Sequence, residues 1–352
     1  MKILAIETSC DETGIALVEG TNTDAGFAFT AYKNALLSQA LLHSPYGGVY
    51  PNLAKREHLK NLPALFQEFA DENFDAIVVT EGPGLEPALW TGIEFAKKLA
   101  AEKQRPLFGV NHMEGHLLSS LTQGDRLESV ALPVLGLLIS GGHTEFVLMK
   151  DWFEYDIVGE TLDDAVGECF DKVARMLGLP YPGGPEISKL AQFHREKKSL
   201  SADFSVNLPR PMLGTNTCDM SFSGLKTAAL YALRDAGKEL SNNEKAAFAA
   251  EFEETVGDVF VTKTRKALEQ TGAKTFVIGG GVAANRYLRE RLQALVLEDF
   301  SDVELRLPHL SITGDNAIMI AEAALVHLLT KDWGLTDTPK ELKATGNLSL
   351  QK

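Results

Sequence analysis

The sequence lacks several features that would indicate particular classes of protein. Its 352 residues contain only 3 cysteines, Cys10, Cys169 and Cys218, and they do not have the C-x-x-C spacing of a thiolate metal site. No apolar run is long enough to cross a bilayer, and no basic and apolar leader precedes the first predicted strand. We therefore expect a cytoplasmic protein with neither a disulfide framework nor a membrane anchor.

An excess of positive charge is also lacking. Lys and Arg together number 34 and Asp and Glu 48, so the net charge is -14. Non-specific affinity for nucleic acid comes mainly from the neutralisation of phosphates by basic side chains. The chain alone is therefore expected to bind nucleic acid poorly. Any contact with RNA would need a local basic surface or a partner protein.

What the sequence does contain is an alternation of short apolar strands and amphipathic helices. Helical spacing predicts helices over residues 53–73, 162–177 and 244–271, and short buried strands are predicted at 75–80 and 274–278. Such an alternation indicates the α/β class, with largely parallel sheets covered by helices. At this length two domains are expected.

Two distant segments, residues 1–18 and 132–148, share one pattern. Each has an apolar strand, a turn rich in small polar residues, and a second strand. Backbone N–H groups and hydroxyls in such turns form concave binding sites for anions. An ordinary β-hairpin turn explains either segment taken alone. The repetition favours two related lobes, each with a turn that contacts phosphate, holding a nucleotide between them.

The segment Asn111–His116 has the pattern of a metal site. His112 and His116 are four residues apart, so on a helix both imidazoles project from one face and suit a first-row metal ion. Glu114 lies about 200° around the helix from His112, unlike the glutamate of the H-E-x-x-H protease motif. Asp315, at a predicted helix start, is the best third ligand. Two surface histidines and a capping aspartate are the alternative interpretation.

Three other segments could contact a ligand. Asp164, Glu168 and Asp171 share a helix face, where uncompensated carboxylates would repel and would favour a cation or a hydroxyl-rich ligand. A solvated helix face is the alternative. Residues 221–227 could offer N–H groups to an anion at a helix start. Residues 279–286 follow a strand and open a helix, as nucleotide-binding loops do.

Taken together, a series of motifs resembles the Kae1/TsaD/Qri7 family, with its bacterial members the most similar. The resemblance extends from residue 1 to about residue 330 and includes segments 6–13, 111–116, 140–144, 170–172, 181–185, 221–227 and 280–286. It implies the actin-like ATPase fold of sugar kinases, Hsp70 and actin, built from two duplicated lobes. With the polar break at 123–126, the N-terminal lobe would cover 1–128 and the C-terminal lobe 129–314, and a helix at about 315–331 would rejoin the first lobe.

The resemblance also implies an activity. The family transfers a threonylcarbamoyl group from threonylcarbamoyl-AMP to N6 of adenosine 37 in tRNAs that read ANN codons. It implies one divalent metal ion, Fe²⁺ or Zn²⁺, bound by His112, His116 and Asp315. The implied partners are tRNA and proteins similar to TsaB and TsaE.

Residue roles follow from the same resemblance. The residues that would contact the threonylcarbamoyl-adenylate are Leu138, Ile139, Ser140, Gly141, Gly142, Asp171, Gly184 and Asn285. Ser188 stands where many members have an aspartate, so this contact is open, and Glu186 could replace it. No general base is evident; Asp11, Glu12 and His143 are candidates, and the first two are our tentative catalytic residues.

The partner surface is predicted from apolar residues that look exposed. A TsaB-like protein would bind helices between about residues 53 and 99, with Leu85, Leu89 and Trp90 in the interface core. The basic residues of a composite tRNA track would include Lys55, Arg56, Arg195 and Lys197. Two other functions fit the fold: a sugar or acetate kinase, which would not need the histidine pair, and a binding-only regulator, which would have lost it.

Overall fold

The computed structural model describes residues 1–197, 206–237, 239–335 and 341–351. The chain forms two compact units, one made of 1–130 with 306–352 and the other of 131–305. The second unit thus ends earlier than residue 314, the limit expected from the sequence. The reason lies at Arg306, whose guanidinium donates hydrogen bonds to the carbonyl oxygens of Leu121 and Ser129, both in the first unit.

Each unit contains one mixed sheet. The first has the strand order β5-β4-β1-β2-β3-β6 and the second β11-β10-β7-β8-β9. The strands are β1 (Lys2–Glu7), β2 (Glu12–Thr23), β3 (Gly26–Ser38), β4 (Ala76–Gly82), β5 (Leu107–Asn111), β6 (Arg126–Glu128), β7 (Val134–Ile139), β8 (Thr144–Asp151), β9 (Glu154–Glu160), β10 (Thr275–Gly279) and β11 (Glu304–Arg306).

Ten α-helices in the described residues lie between or after these strands in the sequence. They are α1 (Ala40–His43), α2 (Pro51–Phe66), α3 (Glu86–Lys103), α4 (His112–Leu121), α5 (Val166–Met176), α6 (Gly183–Glu196), α7 (Ser223–Asp235), α8 (Asn242–Thr271), α9 (Arg286–Asp299) and α10 (Ala317–Thr330). Within the described ranges, no helix has the length and apolar character needed to cross a membrane.

The two sheets repeat one arrangement of strands. β1 and β2 form an antiparallel hairpin, and β4 lies parallel to β1 on its other side. In the second unit β7 and β8 form the hairpin, and β10 lies parallel to β7. The turns predicted to contact phosphate are therefore at equivalent places, after the first strand of each sheet. Because parallel strands end at the same edge, the loops that follow β7 and β10 meet there.

The first unit brings α4 and α10 together. The side chain of Asn111 caps α4 by accepting hydrogen bonds from the N–H groups of Met113 and Glu114. α10 is almost entirely buried and packs against α4, β1 and β2. Asn316 caps α10 through its own side chain, so capping does not need Asp315. The packing places Asp315, one residue earlier, beside α4.

The structure differs from the sequence-based prediction at the start of α5. The helix begins at Val166 rather than 162, because Asp163 is committed elsewhere. Its carboxylate accepts hydrogen bonds from the hydroxyls of Ser221 and Ser223 and from the N–H groups of Phe222 and Ser223. Burial opposes ionisation of Asp163, but these donors outweigh it and lower its pKa to about 2. The anion predicted at 221–227 is thus a side chain of the protein itself.

The carboxylates predicted to be uncompensated on α5 have partners. Lys172 pairs with Glu168 at 2.7 Å and with Asp164 at 3.2 Å, and Lys226 pairs with Asp164 at 2.6 Å. Asp171 accepts a hydrogen bond from the N–H of Gly183 at 2.7 Å. These contacts remove the electrostatic argument for a bound cation or a hydroxyl-rich ligand at these carboxylates. A contact of Asp171 with the ligand stays a prediction.

Glu322 on α10 gives a pH-dependent prediction. Its carboxyl group is buried, and burial raises its pKa from the ordinary 4.5 to about 8, although Thr122 donates a hydrogen bond to it. The folded protein therefore keeps a proton that the unfolded chain loses, and stability falls as pH rises from 4.5 to 8. Glu322→Gln should remove this loss. Its gain in unfolding free energy over wild type should grow by roughly 1.4 kcal/mol per pH unit in that window.

Denaturant titrations at pH 5, 6.5 and 8 test this prediction. Glu94→Gln, on the exposed face of α3 beside Lys97, is the matched control and should change stability little at any pH. A difference between Glu322→Gln and wild type that does not depend on pH would show that Glu322 titrates normally in the folded protein.

Candidate functional site

The predicted metal ligands meet in the first unit. Oδ1 of Asp315 lies 3.1 Å from Nε2 of His116 and 3.4 Å from Nε2 of His112. The two imidazole rings are 4.7 Å apart, centre to centre. α4 positions both rings on one face, and the packing of α10 brings the aspartate to them. One donor atom from each residue lies within 4.8 Å of the others.

The donor set fits a divalent transition-metal ion. Two bonds of about 2.1 Å at a tetrahedral angle would place neighbouring donors roughly 3.4 Å apart, which is close to both distances measured from Asp315. Two imidazoles and one carboxylate suit zinc and iron alike. Three protein ligands would leave a coordination position for a substrate or water.

Glu114 does not face this cluster. Its Oε2 lies 3.0 Å from Nε2 of His327 on α10, and the other ring nitrogen of His327 lies 2.6 Å from Asp332. The ring of His327 also stacks on Trp333, 4.1 Å away. The carboxylate therefore joins α4 to α10 on another face, and the geometry of a metalloprotease is absent from this cluster.

Glu7 is a buried carboxylate that sequence reasoning missed. It is the last residue of β1, and its Oε2 lies 3.3 Å from Nδ1 of His112. The hydroxyl of Thr80 and the N–H of Ser9 also donate hydrogen bonds to it. A carboxylate on the second nitrogen of a ligand histidine fixes the tautomer and orientation of the ring. The only sequence signal was an acidic residue directly after the apolar run of residues 3–6.

The electrostatics of the cluster favour a cation. Burial alone would lower the pKa of His112, but Asp315 and Glu7 outweigh it and raise that pKa to about 10. Burial would likewise raise the pKa of Asp315, yet His112 lowers it well below its ordinary value. Burial would raise the pKa of Glu7 too, but His112 lowers it as well, so both carboxylates favour a positive charge between them, which a bound metal ion would supply when His112 is its neutral ligand.

The candidate catalytic residues, Asp11 and Glu12, lie in the turn after β1 and at the start of β2. Asp11 is buried, and Glu12 begins β2. Burial, with the nearby carboxylates of Asp11 and Asp315, raises the pKa of Glu12 to about 9. Burial and Asp11 also raise the pKa of the Cys10 thiol well above its ordinary value. Cys10 is therefore a protonated thiol and not a reactive one.

In the second unit, the predicted adenylate-contacting loop follows β7. Leu138 and Ile139 are buried as the last residues of the strand, and the turn continues through Gly142. The hydroxyl oxygen of Ser140 accepts hydrogen bonds from the N–H groups of Gly142 and His143. A Cβ built on Gly141 or Gly142 would have no atom of the other described residues within 4 Å, apart from those of its two chain neighbours. The Ser140 hydroxyl therefore fixes the conformation of the turn, and the space beside the Cα atoms of Gly141 and Gly142 is open.

Two glycines hold the surrounding loops close to this turn. Gly280 has a φ of +87°, and a Cβ there would lie 2.4 Å from the carbonyl oxygen of Ile139. A Cβ on Gly167, at the start of α5, would lie 2.5 Å from the carbonyl oxygen of Ser140. Only glycine permits these approaches. The loop after β10 and the start of α5 therefore both pack directly on the turn after β7.

The remaining predicted ligand contacts lie on α5, α6 and α9. Asp171 and Gly184 adjoin one another through the hydrogen bond of Asp171 to Gly183. Asn285 caps α9 through the N–H of Leu288, and its Nδ2 lies 2.8 Å from the hydroxyl of Ser188. Glu186, the suggested replacement at 188, instead pairs with Lys189 at the surface, so that suggestion is not supported.

Glu7→Gln should weaken metal binding, because a neutral amide holds the ring of His112 less firmly and leaves it less basic. Loss of such a partner typically costs about 10- to 100-fold in metal affinity. Competition with a chelator of known affinity would measure it for Zn²⁺ and Fe²⁺. Glu19→Gln, which alters a surface carboxylate beside Tyr32, is the control. Equal affinity of Glu7→Gln and wild type would contradict the orienting role.

Comparison with known proteins agrees with this geometry. A family model described as TsaD, tRNA N6-adenosine threonylcarbamoyltransferase, matches residues 30–322. A curated relative of that name from Thermosipho africanus is 42% identical over 329 residues, which is 92% of this chain and 93% of the relative. Another from Paraburkholderia xenovorans is 41% identical over 353 residues, 97% of this chain and 98% of the relative.

Solved structures show the fold. Full-length HypF in its phosphate- and nucleotide-bound form has a TM-score of 0.54 at 14% identity, covering 92% of this chain and 46% of that one. HypF of T. kodakarensis has a TM-score of 0.58 at 13% identity, covering 94% and 48%. This chain spans about half the length of the HypF chains. It has the α/β fold of the actin-like ATPases, as its motifs implied.

Sequence identity of 41–42% to these relatives, extending over more than 90% of the chain, and the match to the family model together establish the class of protein. The chain belongs to the TsaD family of tRNA N6-adenosine threonylcarbamoyltransferases and is a transferase.

Proposed function

We propose that this protein transfers the threonylcarbamoyl group of threonylcarbamoyl-AMP to N6 of adenosine 37 in tRNAs that read ANN codons, with the help of one divalent metal ion. The observation that carries the proposal is the buried cluster of His112, His116 and Asp315. Neither a kinase nor a binding-only regulator on this fold needs such a cluster. The free thiols of all 3 cysteines agree with a cytoplasmic location.

The reaction is an acyl transfer that needs no nucleophilic side chain. The exocyclic amine of adenosine forms a C–N bond at the carbamoyl carbon, and the bond from that carbon to the phosphate oxygen breaks. AMP leaves with the electron pair of that bond, and the amine loses a proton to a base. AMP is a good leaving group, so the chain has mainly to position the reactants.

Iron or zinc, when bound by His112, His116 and Asp315, would act as a Lewis acid and a template for the threonylcarbamoyl group. Glu7 orients the ring of His112 for this purpose. Asp11 and Glu12 lie in the turn beside the cluster, and we propose them as the catalytic acidic residues. Both belong to the same unit as the metal ligands.

The second unit would hold the adenylate. Gly141 and Gly142 allow its phosphate to approach the backbone, since among the described residues no atom beyond the adjacent ones lies within 4 Å of a Cβ built at either position. The hydroxyl of Ser140 fixes the turn, and donor groups there would stabilise the negative charge of the departing phosphate. Asp171, Gly184, Ser188 and Asn285 would complete this binding region.

A reconstitution assay tests the proposal. The metal-loaded protein, together with its TsaB-like and TsaE-like partners, is mixed with threonylcarbamoyl-AMP and an unmodified tRNA that reads an ANN codon, and the nucleosides are analysed by mass spectrometry. A tRNA that lacks adenosine at position 37 is the matched control. We expect threonylcarbamoyl-adenosine from the first tRNA alone. If ATP and a sugar or acetate give a phosphorylated product and no modified nucleoside forms, the kinase alternative is correct.

We also propose that tRNA binding depends on protein partners similar to TsaB and TsaE. The structure alters the surface predicted for the first of them, because Leu89 is fully buried whereas Trp90 is 39% exposed. Large apolar side chains are more exposed on α1 and α2, including Leu41 at 86% and Leu59 at 57%. Exposed apolar residues of this size favour an interface, so we place the TsaB-like partner on this part of the first unit.

The basic track proposed for tRNA changes as well. Lys55 and Arg56 on α2 are exposed, and so is Lys197, whose ammonium lies over the ring of Phe193. Arg195 is instead committed to Glu253 and to the ring of Tyr287. We therefore keep Lys55, Arg56 and Lys197 in the track and remove Arg195.

Filter-binding titrations of tRNA at moderate salt, with and without the partner, test this part. The isolated chain, with its net charge of -14, should bind weakly because it neutralises few phosphates. The complex should bind at least about tenfold more tightly, and Leu41→Ser with Leu59→Ser should abolish the gain. Tight binding by the isolated chain, unchanged by the partner, would contradict the proposal.

A further inference from the structure

Another buried carboxylate, that of Glu253, lies in the second unit. It is on α8 and is 1% exposed. Its Oε1 accepts hydrogen bonds from the hydroxyl of Ser188 and from Nδ2 of Asn285, each at 2.7 Å. Its Oε2 accepts one from Arg195. A buried charge of this kind is costly unless fully paired, and here three donors pair it.

The direction of each hydrogen bond follows from the donors present. The Asn285 oxygen accepts from the N–H of Leu288, so its amide nitrogen must face Ser188 and Glu253. The hydroxyl of Ser188 accepts from this nitrogen and can only donate to Glu253. An acceptor-only carboxylate at position 253 therefore fixes the orientation of both side chains.

Asn285 links this carboxylate to the turn after β7. It directly follows a short 3-10 helix, Gly281–Ala284. Gly280, the residue before this helix, packs against the carbonyl group of Ile139. Displacement of Asn285 would thus move the loop that lies on the Ser140–Gly142 turn. Arg195 covers the other side of Glu253, with its guanidinium 3.6 Å from the centre of the Tyr287 ring.

From these contacts we infer that Glu253 is a positioning residue for nucleotide binding in the second unit. It holds Asn285 and Ser188 in place through the hydrogen bonds that it accepts from both. The inference rests on the proposed function only in that an adenosine nucleotide binds this unit. Glu253 itself is too buried to contact the nucleotide.

The inference is tested by moving the carboxylate from position 253 to position 188 and measuring the affinity for AMP by calorimetry. Glu253→Gln should weaken AMP binding roughly tenfold or more, because the amide cannot accept from all three donors. Ser188→Asp should also weaken it, since the new carboxylate would lie against Glu253. The double variant Ser188→Asp/Glu253→Gln keeps one carboxylate in the cluster and should recover affinity to within about threefold of wild type.

Rescue separates positioning from general destabilisation. Each affinity is measured well below the melting temperature of the variant, and the neighbouring exposed residue provides the control Glu254→Gln. If Glu253→Gln does not fold, Ser188→Ala still tests the inference and should weaken AMP binding severalfold. The inference would be overturned if Glu253→Gln or Ser188→Ala bound AMP as tightly as wild type does. It would also be overturned if the double variant bound AMP no more tightly than the single variant with the lower affinity.

The inference and the proposed function fail separately. Wild-type protein that modifies tRNA while the variants bind AMP normally would reject the inference alone. Variants that lose and regain AMP affinity as expected, in a protein that transfers nothing to tRNA, would reject the proposed function alone. A wild-type protein that does not bind AMP would overturn the inference.

Discussion

Replacing His112 with alanine should eliminate metal binding and lower threonylcarbamoyl transfer by about 10³-fold or more, since a metal ion can supply several kcal/mol of stabilisation. His116 and Asp315 alone would leave the ion with two protein ligands, too few for a tight site. Metal analysis of the purified variant and transfer to tRNA under saturating substrate are the two measurements.

The same substitution should also destabilise the fold. His112 separates the carboxylates of Glu7 and Asp315, and its loss leaves two buried negative charges without their positive partner, at a cost of about 3 kcal/mol. Both assays therefore need a temperature at which circular dichroism shows the variant folded. His309→Ala, outside the cluster, is the matched control. A folded His112→Ala protein with full metal content would contradict the site.

Gly142→Val should weaken AMP binding by roughly 10- to 100-fold, the effect expected when a side chain fills space that a ligand needs. Apart from the two chain neighbours, no described residue has an atom within 4 Å of a Cβ at this position, so the melting temperature should change little. Gly167→Val provides the opposite case, because its Cβ would lie 2.5 Å from the carbonyl oxygen of Ser140. That variant should lower the melting temperature strongly.

Calorimetry and thermal unfolding of the two glycine variants separate the two causes. If Gly142→Val binds AMP as wild type does, the turn after β7 has only a structural role. If it unfolds as readily as Gly167→Val, the space beside the Cα atom of Gly142 is not open in solution.

Local patterns in the sequence were sufficient for features that depend on neighbours along the chain. The spacing of His112 and His116 predicted that both lie on one helix face, and both are on α4. The repeated turns predicted the hairpins at the start of each sheet. By contrast, β3 was missed because it is a strand with few buried residues, so apolar alternation gave little signal.

Features that depend on distant residues could not be predicted in this way. Asp163 occupies the start of α7 more than 50 residues away along the chain, and Lys226 compensates Asp164. Leu89 looked exposed from its position near a helix start, yet it faces the core. Glu7 and Glu253 gain their roles from partners on other elements. Burial and pairing of this kind are set by tertiary packing, which single-sequence patterns do not encode.

A single-turnover experiment with labelled substrate tests the central claim most directly. Threonylcarbamoyl-AMP carrying ¹³C at the carbamoyl carbon is mixed with excess metal-loaded protein, its TsaB-like and TsaE-like partners and unmodified tRNA, and the reaction is stopped at intervals. We predict that the label appears on N6 of adenosine 37 at the rate at which AMP is released, and that His112→Ala shows neither. Release of AMP with the label recovered only as free threonine-derived products, and none on the tRNA, would contradict the account.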